Sequence, residues 1–201
     1  MVVRVPEAKG QALITHWIDR RIAYDGSQLS AHWILAETGL AGDALVAFRG
    51  PCRVERAEIA DLADLDGPGI AADDMLHFMW ECFASTDLLL AVHRQRLLSA
   101  TAGELLNELA VAAEVRRAGD DLFVDDGKLS ISIATASPVS TLIHFALNIS
   151  PGGAPVRIAT LQQLGVDPVR FASRLLSQVA AEQSTIAIAR SKVRAKGEWQ
   201  R

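Results

Sequence analysis

The stretch GDDLFVDDGKLSISIATASPVSTLIHFALNIS, residues 119–150, constrains the fold more than any other part of the chain. Two extended arms, 121–124 and 128–135, flank Asp125-Asp126-Gly127. An Asp-Gly pair between such arms is a strong hairpin signal, because the tight turn needs residues that tolerate positive φ. Pro138 ends the second arm, 141–150 reads as a further strand, and Pro151-Gly152-Gly153 closes it. The chain has 201 residues, of which 50% are hydrophobic and 22% charged, enough to bury a core as one domain spanning 1–201. Disordered and low-complexity classes are excluded by the same balance.

Upstream, residues 11–23 and 43–54 read as strands of one sheet, the second bounded by Gly42-Asp43 and Gly50-Pro51. Between them Tyr24-Asp25-Gly26-Ser27 is turn chemistry. Leu29, Trp33 and Ala36 then recur at helical spacing until Gly39. From Glu55 to Asp87 nine acids stand against one base, Arg56. Gly67-Pro68-Gly69 predicts a loop there, and Asp73-Asp74 ahead of the run 75–83 predicts a helix, because acids suit a helix N-terminus. Residues 87–93 read as a buried strand and 102–110 as a helix with Leu105, Leu106 and Leu109 on one face. The last helix is expected to start at Asp167-Pro168 and to bury a stripe of Phe171, Leu175, Val179 and Ile186. The expected fold class is α+β, a mixed mainly antiparallel sheet with helices packed on one side.

Side chains alternate faces along a strand. By that rule Lys128, Ser130 and Ser132 are expected on one face, with Leu129, Ile131 and Ile133 on the other. In the next strand His144 and Asn148 share a face opposite Ile143, Phe145, Leu147 and Ile149. A surface carrying Lys128, Ser130, Ser132, His144 and Asn148 can bind a carboxylate, phosphate or carbonyl oxygen. It can equally be the solvated face of a sheet. Asp25, Ser27, Gln28 and His32 form a second polar cluster on a turn, a common setting for holding a polar ligand and an ordinary one for an Asp-Gly turn with a helix cap. The two clusters are expected to converge, giving Lys128, His144 and Asp25 as catalytic candidates. Ser27, Gln28, His32, Asp121, Ser130, Ser132 and Asn148 are the binding candidates. His77 and Glu81, four apart on the expected helix, have the spacing of a two-ligand metal face or of packing alone. No metal site is assigned.

Two resemblances add to this reading. Gly119-Asp120-Asp121-Leu122, Lys128 after a short hairpin, and the strand ending Leu147-Asn148-Ile149 resemble a pattern of the biotin and lipoate protein ligases. That resemblance implies the ligase architecture and gives Lys128 the part of the lysine that binds the acyl carbonyl and acyl-adenylate phosphate. The ligases' paired arginines ahead of three glycines have no match, since Arg20-Arg21 is followed by Tyr24-Asp25-Gly26-Ser27-Gln28. Over nearly the whole chain, Tyr24-Asp25-Gly26-Ser27-Gln28-Leu29, Val46-Ala47-Phe48-Arg49-Gly50-Pro51, His77-Phe78, Gln95-Arg96-Leu97-Leu98, Gly119-Asp120-Asp121-Leu122 and Ala189-Arg190-Ser191-Lys192-Val193-Arg194 resemble the mainly archaeal family called domain of unknown function 366. It implies a compact α/β protein that assembles into oligomers, and it gives no activity to carry over.

A net charge of −4 gives no general attraction for phosphate backbones, so no nucleic-acid partner is expected. No run approaches the roughly 18 apolar residues of a membrane span, and the first ten residues lack a signal pattern. A cytoplasmic location without membrane contact is therefore expected. Cys52 and Cys82 have no ligand spacing and read as small buried thiols. The expected partner is a small carboxylate, acyl or nucleotide-like molecule, handled by an acyl- or nucleotidyl-type transferase or ligase whose cofactor is unknown. The alternatives are a non-catalytic ligand-binding or homo-oligomeric assembly protein, and a metal-dependent hydrolase using His77 and Glu81. The acidic segment 55–87 and the basic tail 190–201 are expected to attract one another, each exposed pair contributing about 0–1 kcal/mol.

Overall fold

The computed structural model describes residues 13–110 and 112–194. In chain order its elements are β1 (Ile14–Arg21), α1 (Trp33–Thr38), β2 (Ala44–Val54), β3 (Ile70–Cys82), α2 (Leu88–Leu109), β4 (Arg116–Ala118), β5 (Asp121–Val124), β6 (Gly127–Lys128), β7 (Ser130–Ala136), β8 (Thr141–Asn148), α3 (Leu161–Leu164) and α4 (Pro168–Lys192). Five strands form one sheet in the order β1-β2-β3-β8-β7, and β4-β5-β6 form a small second sheet. The β1–β2 pair is parallel and the other pairs of the large sheet are antiparallel. This is the α+β arrangement expected from the sequence, with the long helices α2 and α4 packed on one sheet face.

That face is the main core. Leu45, Leu76, Phe78, Phe145 and Leu147 from the strands meet Leu98 and Leu105 of α2 and Phe171 and Leu175 of α4. Phe78 lies 6.1 Å from Phe145 and edge-on to Phe171 at 6.3 Å, the offset geometries aromatic rings prefer. The opposite face carries Phe48, Met75, Met79 and Ala146, with Tyr24 and Ile34 of α1 over one end.

The segment 75–83, expected as a helix, lies mostly within the central strand β3, paired on both edges to β2 and β8. With apolar layers on both faces its hydrophobic run is continuous, and periodicity alone does not separate such a strand from a buried helix. Residues 88–93, expected as a strand, are the first turns of α2. Asp87 accepts from the N–H groups of Leu89 and Leu90 and so caps the helix, while Leu89 is 66% exposed. The expected final helix is α4, capped by Asp167 accepting from the Arg170 N–H with Pro168 in the first turn.

Between β2 and β3 the acidic segment 55–69 arches over the second sheet face on two short 3-10 turns, Arg56–Glu58 and Leu62–Asp64. Its ends meet where Val54 pairs with Ile70. Arg56 pairs with Asp66 inside this segment. The expected contact with the basic tail falls partly on residues 195–201, outside the described residues.

Candidate functional site

β8 places His144 and Asn148 on the sheet face away from α2 and α4. That face, the arch 55–69 and the segment 154–158 enclose a cavity of about 250 Å³. Its inner wall is His144, Asn148, Met75, Ile131 and Ile133. Tyr24, Leu29 and Val54 close one side, and Glu58, Asp61 and Asp64 of the arch bring carboxylates. Lys128 is the one Lys or Arg among the described residues lining it.

Lys128 is held by its backbone. Its N–H donates to the Arg157 carbonyl (3.1 Å), and its own carbonyl accepts from the Ala159 N–H (3.0 Å) and from the Asn148 amide (3.0 Å). This approach of 157–159 requires Gly127, where a Cβ would stand 2.8 Å from the Ala159 nitrogen. The Lys128 ammonium pairs with Asp121 at 2.9 Å. Burial pushes the Asp121 carboxyl above its usual range, with Lys128 opposing the shift.

Two buried imidazoles meet at the wall, His144 within it and His77 behind it. His77, 0% exposed, and His144, 2% exposed, are joined Nδ1 to Nε2 at 3.0 Å, and His77 Nε2–H donates to the Gly50 carbonyl at 3.2 Å. Gly50 stands at a register shift in β2, and a Cβ there would overlap the Ile22 carbonyl. Phe48, His77, His144 and Tyr24 stack side by side, with Tyr24 3.8 Å from His144 and Phe48 4.9 Å from His77. Burial pushes His77 down to about 4, and burial followed by the neighbouring His77 drives His144 well below the usual histidine range. Burial likewise raises the Tyr24 phenol.

The structure separates the remaining sequence-predicted residues. Ser130 and Ser132 were expected beside His144, but they pair with Leu147 and Phe145 and turn their hydroxyls to the helix side. Ser130 Oγ accepts from the Leu122 N–H, and Ser132, although it borders the cavity, accepts from Gln95 of α2. The cause is Leu129, which lies between β6 and β7 with its side chain in the main core, so the alternation slips by one residue and Ile131 and Ile133 face the cavity instead. Asp25, Ser27, Gln28 and His32 do not line the cavity. Asp25 accepts from the Ser27 hydroxyl (2.6 Å) and N–H (3.0 Å), which hold its carboxyl below the usual range. Gln28 closes the same turn, accepting from the Asp25 N–H and donating to the Ala23 carbonyl. The His32 N–H donates to both Glu81 oxygens (2.8 and 3.1 Å), and its ring tilts against Phe83.

His77 and Glu81 are two residues of β3 with separate partners, Glu81 also accepting from Ser140, and among the described residues no three His, Cys, Asp or Glu side chains group as metal ligands. Tyr24, His77 and the arch acids were not singled out for the pocket. Tyr24 is the only tyrosine of the chain and precedes a turn, while the approach of His77 to His144 is a product of strand pairing with no local signal.

Residues 13–194 match the model of the family described as Domain of unknown function (DUF366). The chain belongs to this family. Its DUF366 relatives include the uncharacterized protein MJ0805 of Methanocaldococcus jannaschii, 31% identical over 159 residues, which are 76% of this chain and 71% of that one. A solved structure of a protein of unknown function from Pyrococcus horikoshi is 41% identical, with a TM-score of 0.87 over 92% of this chain and 99% of that chain. The DUF366 fold is also that of the biotin and lipoate protein ligases. The biotin protein ligase from Aquifex aeolicus in complex with biotin and ATP superimposes with a TM-score of 0.56 at 12% identity, over 89% of this chain and 75% of the ligase chain. No helix among the described residues of this DUF366 protein is long and apolar enough to cross a membrane.

Proposed function

We propose that this protein binds a small molecule with an apolar body and one carboxylate or acyl end, the charged or polarised oxygen meeting Lys128. The observation that carries the reading is the placement of Lys128 as the one ammonium or guanidinium among the described residues of a largely apolar cavity wall. A partly desolvated ammonium attracts an oxyanion more strongly than the same group in bulk water, because the local dielectric is lower. Ile131, Ile133, Met75 and Leu29 supply the apolar surface for the rest of the ligand. Glu58, Asp61 and Asp64 repel extended polyanions, so a single carboxylate or acyl group fits this lining better than a triphosphate. The Aquifex ligase, which shares the fold, holds biotin and ATP; the acyl half of that pair suits this cavity. Where the bound group reacts, Lys128 is the residue that would neutralise charge developing on its oxygen.

Titration calorimetry with octanoate tests the reading. The parent protein binds octanoate saturably, and Lys128→Met weakens binding by at least about ten-fold, as expected on losing a charged hydrogen-bond donor. Equal affinity for parent and variant, or no saturable binding to the parent, overturns it.

A further inference from the structure

The imidazole pair at the cavity wall has a defined direction. A carbonyl only accepts, so the contact with Gly50 requires the proton on His77 Nε2. His77 is fully buried with no carboxylate in hydrogen-bonding contact, and burial outweighs the longer-range pull of Asp74, so it is neutral and its Nδ1 carries a lone pair. His144 Nε2–H must therefore donate to that lone pair at 3.0 Å. His144, neutral for the same reason, is left with an unprotonated Nδ1. Nε2 is committed to His77 and one ring face to Tyr24 at 3.8 Å, so Nδ1 is the polar ring atom that remains to this cavity-lining residue. No described residue donates to it. Asn148, four residues along the same strand face, spends its amide N–H on the Lys128 carbonyl and leaves its oxygen as a second acceptor.

We propose that the ligand carries, away from its carboxylate or acyl end, a neutral N–H or O–H group that donates to His144 Nδ1, with the Gly50–His77–His144 chain fixing that nitrogen as an acceptor. This deepens the ligand reading given above and rests on it. The ligand class is then a hydroxylated or amide-bearing short-chain acid, in place of a plain fatty acid. A cavity of about 250 Å³ is of the size that takes a small molecule. His144 acts here as a specificity residue and His77 as a positioning residue that acts through it.

The test uses a matched pair of probes, acetamidohexanoate and its N-methyl derivative, in which a methyl group replaces the amide hydrogen, so that the His144→Phe variant separates the lost donor from the added bulk. The parent protein is expected to prefer the N–H form by about ten-fold or more, since an acceptor left unpaired in a buried site loses a full hydrogen bond. His144→Phe keeps a ring in the stack and is expected to bind both probes equally. Nitrogen NMR of the histidine side chains gives a readout that survives poor folding of that variant. The parent protein shows His144 as the Nε2–H tautomer, and acetamidohexanoate shifts its Nδ1 signal while the N-methyl probe does not. No preference in the parent, a preference kept by His144→Phe, or the opposite tautomer overturns the inference, even where octanoate binds in a Lys128-dependent way. Loss of Lys128 dependence instead overturns the underlying ligand reading, and saturation by none of these acids overturns both.

Discussion

Gln95 and Asp120 are joined by a 2.8 Å hydrogen bond that ties the middle of α2 to the turn between β4 and β5. The same amide donates to Ser132 at 2.9 Å, and Ser99, one helical turn on, donates to the Asp120 carbonyl at 2.8 Å. Arg96 pairs with Asp120 from beside Gly119. The motifs Gln95-Arg96 and Gly119-Asp120 therefore meet each other and hold the small sheet that presents Lys128.

Gln95→Leu is expected to destabilise the protein by about 1–3 kcal/mol, because a buried side chain is exchanged and Ser132 and Asp120 lose a donor. Urea unfolding measures the shift in midpoint. A change below about 0.5 kcal/mol, the range of inert surface sites, would show that the small sheet does not depend on this tie.

The Lys128–Asp121 pair gives a pH-dependent prediction. Asp121 already lies above the usual carboxylate range through burial, and Lys128 works against that shift. Lys128→Met removes the opposing charge, so the carboxylate is harder to ionise in the folded protein than in the unfolded chain. The variant is expected to lose up to about 1 kcal/mol at pH 8, the range for a partly exposed pair, and less at acid pH as protonation removes the Asp121 charge. The Lys128→Met, Asp121→Asn double variant should recover most of the loss at pH 8. Urea midpoints at pH 8 and at acid pH decide the matter, and a loss equal at both excludes this origin.

Protonation of the histidine pair sets acid sensitivity. His77 titrates near 4 in the folded protein against 6.5 in the unfolded chain. As pH falls from about 6.5 to about 4 the unfolded chain takes up a proton that folded His77 refuses, so stability declines across that window. His144 adds to the decline in the same direction. His77→Phe, which keeps the ring between Phe48 and Tyr24, should flatten the dependence. Unfolding midpoints from pH 7 to pH 4.5 check this, and an unchanged slope in the variant would assign the acid loss elsewhere.

Gly127→Ala separates support from binding. Its Cβ would press on the Ala159 and Ile158 backbone, and overpacking of this kind costs about 1–3 kcal/mol. The same displacement moves Lys128, so octanoate affinity should fall in a variant that still folds. Unfolding and calorimetry on one preparation provide the comparison, and wild-type affinity with lowered stability would show that Lys128 is placed by its other contacts.

The parts of this fold legible in the sequence are those with local, one-sided signals. Asp125-Asp126-Gly127 marked the turn, Asp167-Pro168 marked the start of α4, and β8 alternated clearly because one of its faces is core and the other holds His144 and Asn148. β3 was illegible because its two faces are both covered, and the start of α2 because three leucines face outward in a turn capped by Asp87. Among the residues lining the cavity, Lys128, His144 and Asn148 were reached by alternation. Ser130 and Ser132 were misplaced by the single residue Leu129. His77 was found as a residue but given the wrong partner, since its partner comes from β8, 67 positions away.

The closure of the sheet at Val54 and Ile70 beneath the arch makes cavity shape separable from strand register. Insertions between those two residues lengthen a loop whose ends are already paired, and doubling a loop costs only about 0.6 kcal/mol of closure entropy. A change of roof length can thus reshape the cavity while leaving Lys128 and the imidazole pair below it in place. Variation among homologues should accordingly concentrate in the positions aligned with 55–69.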